Sequence, residues 1–185
     1  MPEVNFIKVY ESADADKKID LICKHYHNFT RIIDGYTNGL CYLIYTDKIK
    51  NRKSDVSELG VRVQNFGRYS DCTSDEATSK ADIRKAVMTC DFSGDGLKEM
   101  PKKGFYYEMA YLLCNMRTDF EYFKSQLESL DDEESRIFLG YISKKLTLYD
   151  IADEEGIQPE SAKKRVIRIK RRLKNRMLLF FEGTI

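Results

Sequence analysis

The sequence predicts a mainly α-helical fold, with long heptad-patterned N-terminal and central helices and shorter helices at the C-terminal end. Three observations predict it. From Ile19 the apolar residues Ile22, Tyr26, Phe29, Ile33, Tyr36, Leu40 and Leu43 recur at alternating steps of three and four. Met109, Leu113, Met116, Phe120, Phe123, Leu127 and Leu130 repeat the same spacing. After Leu130 the helix-capping residues stand in the order that three successive helices need. Strands turn a new side outward at every residue, so a heptad stripe cannot come from one.

The first stripe defines the N-terminal helix, from Ile19 to beyond Leu40. Gly35 and Gly39 weaken it by about 1 kcal/mol each relative to Ala and place a kink or break near them. The second stripe defines the central helix. Matching periods predict that the two pack on each other or on the same helices of a second copy. Aromatic residues dominate both seams, which favours an ordinary helical core over a true coiled coil.

Between these helices, Asn51 to Lys103 carries weaker patterns. "GVRVQNF" alternates apolar and polar residues and predicts a small β element near 60–67, while Ser74 is placed to cap a helix over Asp75–Val87. "DFSGDGLKEMPKKG" reads as a loop or linker. The chain therefore divides into a helical region 1–103 with a variable middle segment, a long connecting helix 104–127, a C-terminal domain 128–178 and a tail 179–185.

Composition excludes several classes of protein. With 42% hydrophobic and 12% aromatic residues among 185, the chain can bury a core, and wholesale disorder is excluded. "MPEVNFIKVYESADADKK" has no basic stretch leading into an apolar run, and no window reaches the roughly 18 apolar residues of a membrane span. A soluble, cytoplasmic protein is expected, with no membrane partner. The five cysteines, Cys23, Cys41, Cys72, Cys90 and Cys114, are odd in number, scattered and without a C-x-x-C pair, so reduced thiols are expected. Cys23 and His27 stand one helical turn apart, as metal ligands do, yet no second ligand pair accompanies them. Asp91, Ser93, Asp95 and Gly96 begin like a calcium loop, but Lys102 occupies the place where a bidentate Glu is required. No phosphate-binding or nucleophile motif is present, and the only histidines, His25 and His27, have no acid-base partner in view. Neither an enzyme nor a cofactor is expected.

The C-terminal third is strongly polarised. Ten acids lie between Glu128 and Glu160 against Arg136, Lys144 and Lys145, and nine Lys or Arg residues follow between Lys163 and Arg176 with no acid among them, in a chain of net charge +1. Asp131 to Glu134 favour the start of a helix running to about Ser143, since negative charge stabilises exposed N–H groups of a first turn. Thr147 caps the next helix, with Asp150 completing a short capping box. Gly156 suits a left-handed turn at its end, and Pro159 suits the first position of the helix after it. That last helix has its own inward stripe of Ala162, Val166, Ile169 and Leu173 and is expected to run to about Met177. The apolar "LLFF", Leu178 to Phe181, lies beyond it and is expected to meet the heptad helices or a second copy.

Two helices joined by a tight glycine turn make a helix-turn-helix unit. Ala152 is small where they cross, Ile157 fills the angle between them, and Ala162 and Val166 seat the second helix. Gln158, Glu160, Ser161, Lys163, Lys164, Ile167, Lys170 and Arg171 then face outward, with Arg165, Arg168 and Arg172 on the flank. Recognition helices read base edges near their N-terminus, whereas later cations neutralise phosphates. Gln158, Ser161, Lys163 and Lys164 are thus the candidates for base reading, with Glu160 beside them. Arg165, Arg168, Arg171 and Arg172 are those for backbone contacts. A basic helix can also be a plain solvated face or bind an anionic membrane, but the apolar stripe here is committed to packing.

"LESLDDEESRIFLGYISKKLTLYDIADEEGIQPESAKKRVIRIKRRLKNRM", Leu127 to Met177, resembles region 4 of bacterial sigma factors. The matching run is Thr147, Leu148, Asp150, Ile151, Ala152, Gly156, Ile157, Gln158, Ala162 and Val166. Gln158 stands where that family usually has Ser and Ala162 where it usually has Val, which bears on cap geometry and base preference rather than on fold. The resemblance covers about the last 50 residues. No segment like "DLxQETFLRxW" accompanies it, so the chain is not expected to be a complete sigma factor. It more closely resembles the phage and prophage late-gene regulators of the ArpU and RinA type, with "SDCTSDEA" after "GVRVQNFGRYS" a loose echo of a phrase found in them.

The resemblance implies a phage or mobile-element transcriptional regulator that binds double-stranded DNA through the helix starting near Pro159. Its heptad helices would serve homodimer formation or contact with RNA polymerase. The alternatives are a DNA-binding packaging component like a small terminase subunit, and a helical adaptor whose basic helix meets an acidic protein.

Overall fold

The computed structural model describes residues 6–58, 72–93, 100 and 102–181. All regular structure in them is helical: α1 (Phe6–Glu11), α2 (Ala15–His25), α3 (Phe29–Glu58), α4 (Cys72–Thr89), α5 (Lys103–Glu128), α6 (Asp132–Ile142), α7 (Leu148–Glu154) and α8 (Pro159–Phe181). The protein is mainly α. The β element expected near 60–67 lies outside the described residues. Contacts divide the chain into two compact units, residues 31–117 and residues 1–30 with 118–185, a partition that interleaves the sequence segments.

The first stripe is not one helix. Asp14 caps α2, its side chain accepting from the Lys17 N–H at 2.8 Å. After His25 the backbone tightens into a 3₁₀ turn at Tyr26–Asn28 before α3 begins. The break falls there and not at Gly35 or Gly39, through which α3 runs uninterrupted with open space where their Cβ atoms would be. Burial of Phe29, Ile33, Leu40 and Ile44 along α3, at about 1.5–3 kcal/mol per side chain, outweighs the glycine penalty of about 1 kcal/mol each. The register shifts as well, because Leu43 is 47% exposed while Ile44 is fully buried. A straight α-helix drifts about 20° per heptad against a strict 3.5 repeat, so a seam begun at Phe29 reaches Ile44 instead of Leu43.

In the unit of residues 31–117, α3 and α5 run side by side in opposite directions. Arg117 near the middle of α5 donates to Thr37 Oγ1 at 2.7 Å, while Tyr106 at its start donates to Asp47 farther along α3. The matching stripes thus pair within one chain. Thr37 is fully buried, and its hydroxyl is satisfied both ways, donating to the Ile33 carbonyl at 2.8 Å and accepting from Arg117 Nη2 at 2.7 Å. Helix α4 buries Ile83 and Val87 and is tied to α3 by Arg84 to Asn38 at 2.7 Å and Lys48 to Ser79 at 3.1 Å. It starts at Cys72, so Ser74 lies inside it and not at its N-cap. Several capping-type residues in "SDCTSD" compete for that position, and local sequence does not rank them.

In the other unit an aromatic cluster forms the centre. Phe29 stacks on Phe120 with ring centroids 4.9 Å apart and meets Phe6 and Tyr10 at 6.0 and 5.9 Å. Tyr26 adds contacts to Phe120 and Phe123. Tyr10 is buried to the last atom, and its hydroxyl donates to the Asp119 carboxylate at 2.9 Å. Burial holds that carboxyl above its ordinary value against the opposing hydrogen bond. Helix α8 continues to Phe181, past the end expected near Met177. Tyr122 on α5 meets the Phe180 and Phe181 rings at 5.7 and 6.1 Å, which gives the terminal apolar run a partner and extends the helix.

Candidate nucleic-acid interface

The surface carrying the basic run is built by α6, α7 and α8. Asp131 caps α6 by accepting from the Glu134 N–H at 2.8 Å, and acids fill its first turn. The chain leaves α6 through Lys144, held at φ +60°. Gly140 lets Leu146 lie close against the helix, since a Cβ on it would be 2.5 Å from Leu146 Cδ1 and the leucine side chain would have to shift. Thr147 and Asp150 then form the capping box reciprocally, at 2.7 Å from the Thr147 N–H to Asp150 and 3.2 Å from the Asp150 N–H to Thr147. Those hydrogen bonds hold the Asp150 carboxyl below its ordinary range.

Helix α7 ends at Glu154, and a turn over 155–158 leads into α8. Gly156 adopts φ +63°, the left-handed conformation that glycine takes without penalty. The Ile157 N–H closes the turn on the Ala152 carbonyl at 2.9 Å, and Pro159 is the first residue of α8. Ala162, Val166, Ile169, Leu173 and Met177 are buried along one side of α8, as the inward stripe predicts, and pack with α6, α7 and α2. Gln158, Glu160 and Ser161 are exposed at the start of the helix.

The nine cations do not share one environment. Arg165 is only 22% exposed and lies between Glu133 at 2.6 Å and Glu155 at 3.0 Å. Glu133 chiefly holds its guanidinium above the ordinary value. Arg172 pairs with Glu134. Arg136 on α6 takes Glu154 at the end of α7 and Glu155 just after it, so these pairs join α6, the end of α7 and α8 to one another. On another side, Lys170 reaches Asp20 at 2.7 Å, and Lys174 reaches Asp16 and Asp20 at 2.8 and 2.9 Å. Burial pulls the Lys174 ammonium down, but hydrogen bonds to both aspartates outweigh it and leave the group above its ordinary value. Arg176 donates to Ser129 at 3.2 Å.

Four cations remain, Lys163, Lys164, Arg168 and Arg171, all exposed and with no ion pair or hydrogen bond among the described residues. With Glu160 and Ile167 they make the outward side of α8, opposite the buried stripe. The sequence-based candidates are thus divided. Gln158, Glu160, Ser161, Lys163, Lys164, Arg168 and Arg171 stand on or beside the solvent face, while Arg165 and Arg172 are held against α6 and α7. The contribution of α2 was not foreseen, although a signal existed. Asp16 and Asp20 are spaced four apart on one helix, as Lys170 and Lys174 are on the other.

The remaining polar features do not assemble a second site. Cys23 is buried, and desolvation pushes its thiol up to about 12. His27 Nε2 instead lies 3.3 Å from Lys144 Nζ. Asp91 accepts from the Ser93 N–H at 3.0 Å, while Asp95 and Gly96 lie outside the described residues. Among the described residues no group of three or more His, Cys, Asp or Glu side chains is gathered as a metal site, and no helix is long and apolar enough to cross a membrane. Comparison with family models, curated proteins and solved structures returned no match to the chain.

Proposed function

We propose that the protein is a sequence-specific DNA-binding transcriptional regulator, of the kind that phages and mobile elements encode, and that α7, its turn and α8 act as a helix-turn-helix. In this role the N-terminal part of α8 enters the major groove. Gln158, Ser161, Lys163 and Lys164 meet base edges there, and Arg168 and Arg171 meet phosphates farther along. Arg165 and Arg172 act differently, orienting α8 on α6 and α7 through their carboxylate partners.

The observation that carries the proposal is the unpartnered set Lys163, Lys164, Arg168 and Arg171 on one exposed side of a helix in which Arg165, Lys170, Arg172 and Lys174 are neutralised by acids and Arg176 donates to Ser129. A solvated face does not require that separation. A polyanion-binding face benefits from it, because free cations release counterions when phosphates replace them.

The test is retention of duplex DNA from a random-sequence pool in a gel-shift assay. Wild-type protein is expected to enrich a defined site. Lys163→Glu with Lys164→Glu is expected to lose it while keeping the far-ultraviolet circular dichroism of the wild type. Equal retention by the double variant, or no enrichment of any sequence by the wild type, would overturn the proposal.

A further inference from the structure

Ile167 stands apart from every other apolar residue in the middle of α8. The helix satisfies its packing through Ala162, Val166, Ile169, Leu173 and Met177, all buried, whereas Ile167 is 54% exposed on the opposite side. Lys163 and Lys164 lie one turn before it and Arg168 and Arg171 beside and after it, so a large aliphatic side chain sits among four cations that have no partner among the described residues. Elsewhere on α8 the strongly exposed large apolar residues are Leu179 and Phe180, at its far end. Core formation does not explain Ile167.

Resting on the DNA-binding function proposed above, we propose that Ile167 is a specificity-determining residue that packs on the C5-methyl group of a thymine in the major groove. That methyl is the apolar feature of the groove floor, and it separates thymine from cytosine. A β-branched side chain in a helix holds essentially one χ1 rotamer, so Ile167 presents a fixed methyl surface and loses little freedom on contact. Its neighbours supply the charge that brings the helix to the groove, and it supplies a contact that charge cannot make. Successive turns of α8 then divide recognition among them, with polar reading at Gln158 to Lys164, an apolar reading at Ile167, and phosphate contacts at Arg168 and Arg171.

The probe is the duplex that the chain enriches from a random pool, remade with uracil in place of thymine at one position at a time. Uracil lacks only the methyl and keeps every hydrogen-bonding group. Burying one methyl-sized group is worth about 0.8 kcal/mol, so wild-type protein is expected to bind about fourfold more weakly when one particular thymine is replaced. Ile167→Ala is expected to bind the thymine and uracil duplexes alike, with unchanged helical content, because the residue is outside the core. Full loss of discrimination in the variant supports the contact. Insensitivity of the wild type to uracil at every position, or a uracil penalty that persists in Ile167→Ala, overturns it while leaving DNA binding through Lys163 and Lys164 standing. Failure of the wild type to enrich any duplex overturns both.

Discussion

Gly156→Ala isolates the turn that sets α8 on α7. The backbone there has φ +63°, and an added Cβ would meet nothing within 4 Å, so crowding contributes nothing to the outcome. What remains is the cost of holding an L side chain in the left-handed region, about 1–2 kcal/mol. Stiffening of the unfolded chain is part of the same balance, and where φ is positive the native-state cost exceeds it. A net loss of about 1 kcal/mol is expected, or about 2–4 °C in Tm for a protein of this size. Gly39→Ala is the matched control. It makes the same chemical change inside α3, with open space around the new Cβ. A right-handed helical glycine replaced by alanine is expected to gain up to about 1 kcal/mol. Thermal unfolding followed by far-ultraviolet circular dichroism should therefore move down for one variant and up for the other. A neutral or stabilising Gly156→Ala would refute the left-handed turn, and with it the angle at which α8 leaves α7.

Two further predictions concern charge. Burial pushes the Asp20 carboxyl up, but its ion pairs with Lys170 and Lys174 outweigh it and hold the group below the ordinary 3.8, and Lys174 lies above its ordinary 10.5. A depressed carboxyl stabilises above its unfolded value and loses that contribution as pH falls through its folded value. A raised ammonium stabilises below its unfolded value and loses that contribution as pH rises through its folded one. The contact of α2 with α8 should thus be strongest between these limits. Urea midpoints measured against pH for wild type and Asp20→Asn should differ there and converge in acid, and a constant offset at all pH values would contradict it. The second prediction separates the arginines of α8. Arg168→Ala and Arg171→Ala should each reduce the log-log salt dependence of DNA affinity by about 0.9. Arg165→Ala should leave that slope intact and lower the denaturation midpoint, since its guanidinium joins Glu133 and Glu155; a slope change for Arg165→Ala equal to the others would refute the division.

Much of the helical architecture was legible because its signals are local. The heptad stripes of α3 and α5, the Asp131 cap, the Thr147 and Asp150 box, Gly156 and Pro159 each depend on residues within one or two turns, and the structure uses each of them. Where sequence reading departed from the structure, a competing long-range term decided. Gly35 and Gly39 do not break α3 because the buried side chains around them outweigh a local propensity cost. The 3₁₀ turn at Tyr26–Asn28 has no glycine or proline to announce it and falls where Phe29 enters the aromatic cluster. Phe180 and Phe181 extend α8 because Tyr122, far away in sequence, lies beside them.

The basic run shows the same division between local and distant effects. In sequence its nine cations are equivalent members of one uncompensated stretch, and helical spacing alone groups Lys170 with the outward residues and Arg165 with the phosphate contacts. In space, the acids that precede the run on α6 and α7 neutralise Arg165 and Arg172, while Asp16 and Asp20 of α2 neutralise Lys170 and Lys174. Both sets of partners lie along the flanks of the buried stripe, so neutralisation proceeds inward from the sides and stops short of the outward face. Lys163, Lys164, Arg168 and Arg171 remain without an ion pair among the described residues, with Glu160 exposed on the same side of the helix. The polarised charge of the C-terminal third therefore has two physical consequences at once. Its acids fasten the helix, and the four cations left with neither an ion pair nor a hydrogen bond among the described residues define an outward strip around Ile167.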